Sequence, residues 1–174
     1  LAERHYLAAL RIDPDFTPAR ANLAQLYAAS SRNRDAERIL VEGLERLPNL
    51  GELQYSLGLL LAEDKTRMKE SAAALGRAAK LLPGRADVHY NLGLTLAGIG
   101  AVAQAREHLA RYLEQDETSP WAARARAALA SLGDDVVRKL PAHELGLEPF
   151  HDRRHLRRQL FVEDEAHAHP GHVV

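Results

Sequence analysis

Three prolines set the frame for this chain. Pro14 and Pro48 are 34 residues apart, and Pro83 follows 35 later. Leu23, Leu57 and Leu92 keep the same spacing, as do Ala2, Ala36, Ser71 and Ala105. Gly58 and Gly93 are 35 apart, with Ala24 at the equivalent earlier place. Several columns in one register mean that a single supersecondary unit is repeated. Such a unit cannot bury its apolar face alone, so it stacks on its neighbours.

Each unit reads as two helices. Ala19, Leu23, Leu26 and Tyr27 recur at helical spacing, and so do Ala36, Ile39, Leu40, Gly43, Leu44 and Leu47. The pattern predicts helices at about 1–12, 18–30, 34–46, 51–63, 68–81, 86–98, 102–115 and 120–132. No strand-like alternation competes. A glycine inside a helix costs about 1 kcal/mol of propensity. Gly58 and Gly93 are therefore expected where two helices approach closely. Thr17-Pro18 and Ser119-Pro120 each place a hydroxyl before a proline, a helix-start signal that predicts capping at both. Gly100 is expected in a turn that needs positive φ.

These columns resemble the tetratricopeptide repeat (TPR) family, whose pattern runs W-x2-L-G-x2-Y, then A-x3-F-x2-A, then P. The unit at about 17–48 carries Leu23, Ala24, Tyr27, Ala36, Leu40, Gly43 and Pro48. The unit at about 51–83 carries Leu57, Gly58, Leu61, Ser71, Leu75, Ala78 and Pro83. The unit at about 86–117 carries Leu92, Gly93, Leu96, Ala105, Leu109 and Tyr112. Residues 1–14 match the second half of an earlier unit. The departures are Arg20, Gln54 and His89 at the tryptophan position, one extra residue in the Glu63–Lys69 turn, Tyr112 at a small-residue position and Glu117 in place of proline.

The resemblance implies an all-α solenoid of antiparallel helix pairs in a right-handed superhelix. It implies a TPR array over 1–132, closed by a capping helix at 120–132 with Trp121 packed over the last unit. It also implies a concave groove, lined by the first helix of each unit, where a peptide or helix partner binds. By register the groove residues are Asn22, Gln25, Tyr55, Leu59, Tyr90, Asn91 and Leu94. Tyr55 and Tyr90 share a column, as do Leu59 and Leu94, and either line a wall for an apolar partner or pack on their neighbours. The basic side chains that clamp a peptide carboxylate in some TPR proteins are missing from these positions.

Composition narrows the function classes. The net charge is -1, which argues against a dedicated nucleic-acid binder. There is no cysteine, so thiolate metal sites and cysteine nucleophiles are excluded. No phosphate loop, H-E-x-x-H or other catalytic constellation is present. No catalytic residue, metal or cofactor is assigned, and the expected role is a non-enzymatic protein-interaction scaffold. Homo-oligomers by end-to-end stacking remain open. The excess of arginine over lysine, with abundant Ala and Leu, points to a bacterial array, cytoplasmic or periplasmic. Leu1 within an apparent helix leads to the expectation of a fragment or trimmed product, so a TPR segment of a larger enzyme or cofactor-bearing complex is the alternative.

Composition shifts after Gly133. Residues 133–174 read as a linker and a His/Arg-rich tail, mostly irregular or disordered. Arg153, Arg154, Arg157 and Arg158 precede an acidic run, Glu163–Glu165. His151, His155, His167, His169 and His172 form a weak metal-binding pattern, for which a solvated polar tail is the preferred reading.

Overall fold

The computed structural model describes residues 1–133. Within them the chain forms α1 (Ala2–Ile12), α2 (Thr17–Ala29), α3 (Asn33–Arg46), α4 (Gly51–Ala62), α5 (Met68–Leu81), α6 (Ala86–Gly98), α7 (Val102–Leu113) and α8 (Pro120–Ser131), with a 3-10 turn at Lys65–Arg67. There is no strand among the described residues. Helix positions follow the apolar periodicity to within a residue or two. The tail assignments fall outside the described residues.

The small-residue columns do what the propensity cost implied. A Cβ on Gly58 would stand 2.6 Å from Leu75 Cγ and 3.1 Å from the Leu75 backbone nitrogen. One on Gly93 would meet the same atoms of Leu109 at 2.7 and 3.1 Å. The helix pairs of the second and third units are thus in backbone-level contact. Ser71, which replaces alanine in its column, donates its hydroxyl to the Gly58 carbonyl at 2.7 Å, so its buried oxygen is satisfied.

The tryptophan column is rebuilt with polar donors. Arg20, Gln54 and His89 are all buried. Each reaches the carbonyl of the proline six residues earlier: Arg20 Nη2 to Pro14 at 2.7 Å, Gln54 Nε2 to Pro48 at 3.5 Å, His89 Nε2 to Pro83 at 3.0 Å. The other end of each side chain engages the second helix of its own unit. Arg20 Nη1 donates to Ile39 O at 3.0 Å, Gln54 Oε1 accepts from Arg77 Nε at 2.9 Å, and His89 Nδ1 meets His108 Nδ1 at 2.9 Å. An aromatic wedge is replaced by a strut that satisfies otherwise orphaned carbonyls.

Turns vary within the register. Gly100 has φ +78°, as expected, and Ser31 takes φ +59° at the equivalent place. The extra residue of the second unit removes that left-handed position. Asp64 instead caps the 3-10 turn by accepting from Thr66 N at 2.9 Å. The turns also staple neighbouring units. Arg32 pairs with Glu3 at 3.1 Å, and Arg67 grips Glu37 through two bonds of 2.7 Å. At the next interface the same columns hold Ala72 and Ala101, which pack into one apolar cluster.

One capping expectation is corrected. Ser119 caps α8, accepting from Trp121 N and Ala122 N at 3.2 Å. Thr17 does not cap α2. It lies inside the helix, Phe16 is the N-cap, and the Thr17 hydroxyl donates backwards to Asp15 O at 3.2 Å. The bond from Arg20 N to Phe16 O starts the helix one residue earlier than the hydroxyl could cap it.

Candidate peptide-binding face

The stack bends because its two columns of helices differ. Helix α2 touches α4, α4 touches α6 and α6 touches α8, whereas α1, α3, α5 and α7 do not approach one another. The column in contact forms the inner wall. All seven predicted groove residues lie on it, but not in equivalent surroundings.

Asn22 and Gln25 on α2 and Leu59 on α4 are half-buried and reach the surface, as does Ser56. Leu59 packs at the seam between the first two apolar clusters. These residues form the open part of the wall.

Tyr55 and Asn91 are drawn into the joint between α4 and α6. Tyr55 is 9% exposed and Asn91 is 0% exposed. Asn91 Nδ2 donates to the Tyr55 hydroxyl at 2.8 Å and to Asp87 O at 3.0 Å. The Asp87 carboxylate acts electrostatically on the Tyr55 hydroxyl. That carboxylate is held by a fork from Arg85, at 3.0 and 2.7 Å, and the Arg85 guanidinium sits 4.7 Å over the Tyr55 ring. Burial pushes the Tyr55 phenol well up, and the charge of Asp87 adds to it. Burial opposes ionisation of Asp87, but Arg85 overcomes it and keeps the carboxyl below its ordinary range. Every member of the network is satisfied, so it serves as a polar rivet between units rather than a site with an open valence.

Tyr90 and Leu94 are covered by α8, at 1% and 2% exposure. The Tyr90 ring lies 4.9 Å from that of Tyr112 and 5.8 Å, edge-on, from that of Trp121. Leu94 belongs to the same cluster, with Ala122 and Ala125. Tyr112 stands in a column where the family has a small residue. Here it fills the joint, and its hydroxyl donates to Asp116 at 2.5 Å. Trp121 packs over the last unit, as the sequence implied. In this conformation Tyr90, Asn91 and Leu94 are not available to a partner.

The sequence held a signal for this. The Ser119-Pro120 helix start marks α8, which packs on α6 as α6 packs on α4, so α8 takes the place of a fourth unit's first helix. Tyr55 and Tyr90 occupy the column that faces the next unit, and α6 and α8 cover them in turn. Arg126 of α8 donates to Glu117 O at 2.8 Å.

No protein-family profile matches this chain, and no curated protein matches it. Solved structures do. MamA superposes with a TM-score of 0.65 at 22% identity, over 82% of this chain and 81% of that one. YrrB, described as a TPR protein with an unusual peptide-binding site, superposes with a TM-score of 0.57 at 20% identity, over 78% of each. This chain has the tetratricopeptide-repeat fold. An O-GlcNAc transferase of Thermobaculum terrenum is 30% identical with a TM-score of 0.56, over 66% of this chain. This TPR segment spans 21% of that enzyme's length. No helix among the described residues is long and apolar enough to cross a membrane.

Proposed function

We propose that this chain is a non-enzymatic interaction scaffold that holds an extended peptide or a helix along the inner wall of α2 and α4. The observation that carries this reading is the open stretch formed by Asn22, Gln25, Ser56 and Leu59 on the column of touching helices. The Asn22 side-chain amide offers both donor and acceptor to a peptide backbone, and Leu59 offers an apolar anchor. A structural neighbour described as having a peptide-binding site supports the same use of the fold. Tyr55, Asn91, Tyr90 and Leu94 then act from beneath, by fixing the curvature.

Peptide display against the full chain, followed by titration of a selected peptide, tests the reading. Gln25→Ala combined with Leu59→Gln should weaken binding by about tenfold or more, equivalent to about 1.4 kcal/mol. Helicity should be unchanged, and Arg38→Ala on the outer helix α3 should have no effect. Equal binding by the inner-wall variant would refute it.

A second reading follows from the transferase comparison. A chain similar to one segment of a longer enzyme can serve as that enzyme's substrate- or partner-presenting arm. An open reading frame joining this segment to a catalytic domain would support it.

A further inference from the structure

The third unit differs from the others in the chemistry of its strut. His89 is 2% exposed, and its two ring nitrogens are both engaged. The Pro83 carbonyl can only accept, so His89 Nε2 carries a proton. A neutral imidazole has one N–H, which leaves His89 Nδ1 bare. His108 Nδ1, 2.9 Å away, must therefore be the donor. The rings are 18° from parallel with centres 5.2 Å apart, so they meet edge to edge rather than face to face. Two imidazoles sharing a metal ion in line, at about 2.0–2.1 Å each, would stand about 4 Å apart. At the observed separation a proton fits between them and a metal does not.

We propose that the His89–His108 contact is a proton-operated latch that holds α6 to α7 at neutral pH and loosens them in mild acid. One further proton can enter only at His108 Nε2, and it places a charge on a half-buried ring. A second would set two N–H groups head-on across the contact. The groups acting on His108 are His89 from α6 and, on α7 itself, Glu107 and Arg111. Among the described residues no charged group of α5 or α8 acts on it. Burial, then His89, then Arg111 oppose its protonation. Glu107 favours it, but Glu107 is tied to Arg111 at 2.8 Å.

The sign follows from linkage. His108 ionises below its ordinary value of 6.5, so the unfolded chain binds the proton more readily. The latch contributes fully above that value and weakens as pH falls below it. The corresponding struts, Arg20 and Gln54, carry no imidazole. The loosening is therefore local to the third unit, beneath the helix that covers Tyr90 and Leu94.

The test uses the full chain labelled with nitrogen-15. At pH near 7.5, tautomer spectra should show Nε2–H on His89 and Nδ1–H on His108. Between pH near 7.5 and 5.5, amide exchange in α6 and α7, corrected for intrinsic rates, should accelerate severalfold relative to α2 and α3. The ceiling is about tenfold for each pH unit between the folded and unfolded values. His89→Gln copies the strut of the second unit and should weaken this pH dependence, because burial of His108 remains while the His89 contribution is lost, and it should keep the Pro83 contact. Reversed tautomers, or exchange in α6 and α7 that follows α2 and α3 at both pH values, would overturn the proposal. So would a folded His89→Gln protein that kept the wild-type pH dependence. If that variant does not fold, the wild-type tautomers and exchange decide alone.

Discussion

Replacing one glycine by alanine should destabilise this protein at Gly93 and stabilise it at Gly76. Both lie inside helices, so the intrinsic gain is the same, up to about 1 kcal/mol. At Gly76 a Cβ meets nothing within 4 Å, and that gain is realised. At Gly93 the new methyl would stand 2.7 Å from Leu109 Cγ, 2.9 Å from Cδ2 and 3.1 Å from the backbone nitrogen. Carbon contacts are comfortable at about 3.5–4.0 Å. The Leu109 side chain is fully buried among Tyr90, Leu94 and Tyr112 and cannot swing aside, and its nitrogen is fixed in α7. Overpacking of this kind costs about 1–3 kcal/mol. Less the propensity gain, Gly93→Ala should lose up to about 2 kcal/mol, and Gly58→Ala a similar amount. Urea melts followed by far-UV circular dichroism measure both signs in one experiment. Solenoids need not unfold in one step, so midpoints are compared with the same probe. A Gly93→Ala protein as stable as wild type would refute the close-contact argument. So would movement of both variants in the same direction.

Three further outcomes follow from the geometry. Ser31→Gly should stabilise the fold by about 0.5–1 kcal/mol, because Ser31 sits at φ +59° where a side chain is strained; calorimetry checks it. Arg20→Ala strands the carbonyls of Pro14 and Ile39 and should cost about 1–3 kcal/mol, whereas Arg20→Gln, which copies the Gln54 strut, should cost less in the same melt. The Asp116 carboxyl is held down to about 2 by the Ser119 hydroxyl and then that of Tyr112, so its contribution is complete above its unfolded value near 3.8 and disappears as pH falls to about 2; Trp121 fluorescence should report loosening of α8 across that window, and Asp116→Asn should show it at neutral pH.

How far the sequence could be read depended on the range of each interaction. Helices were legible because their periodicity is local and repeated. The close approach at Gly58 and Gly93 was legible because glycine in a helix needs a reason. The hydroxyl of Thr17 misled, since one backbone bond to Phe16 decides which residue caps. The polar tryptophan column looked like a loss. Its compensation joins carbonyls six residues back to a second helix, and spacing alone does not show that. Tyr90 and Leu94 read as groove residues from register, but their cover comes from α8, which keeps little of the repeat pattern. The His89–His108 contact joins residues 19 apart in different helices, and nothing in either segment announces it.

A partner on the inner wall of α2 and α4 is the centre of this account. Hydrogen-exchange footprinting of the full chain, with and without a peptide selected against it, tests this most directly. Exchange should slow on α2 and α4, with the outer helices α3 and α5 unchanged. A footprint on α3 and α5, with α2 and α4 unchanged, would contradict it.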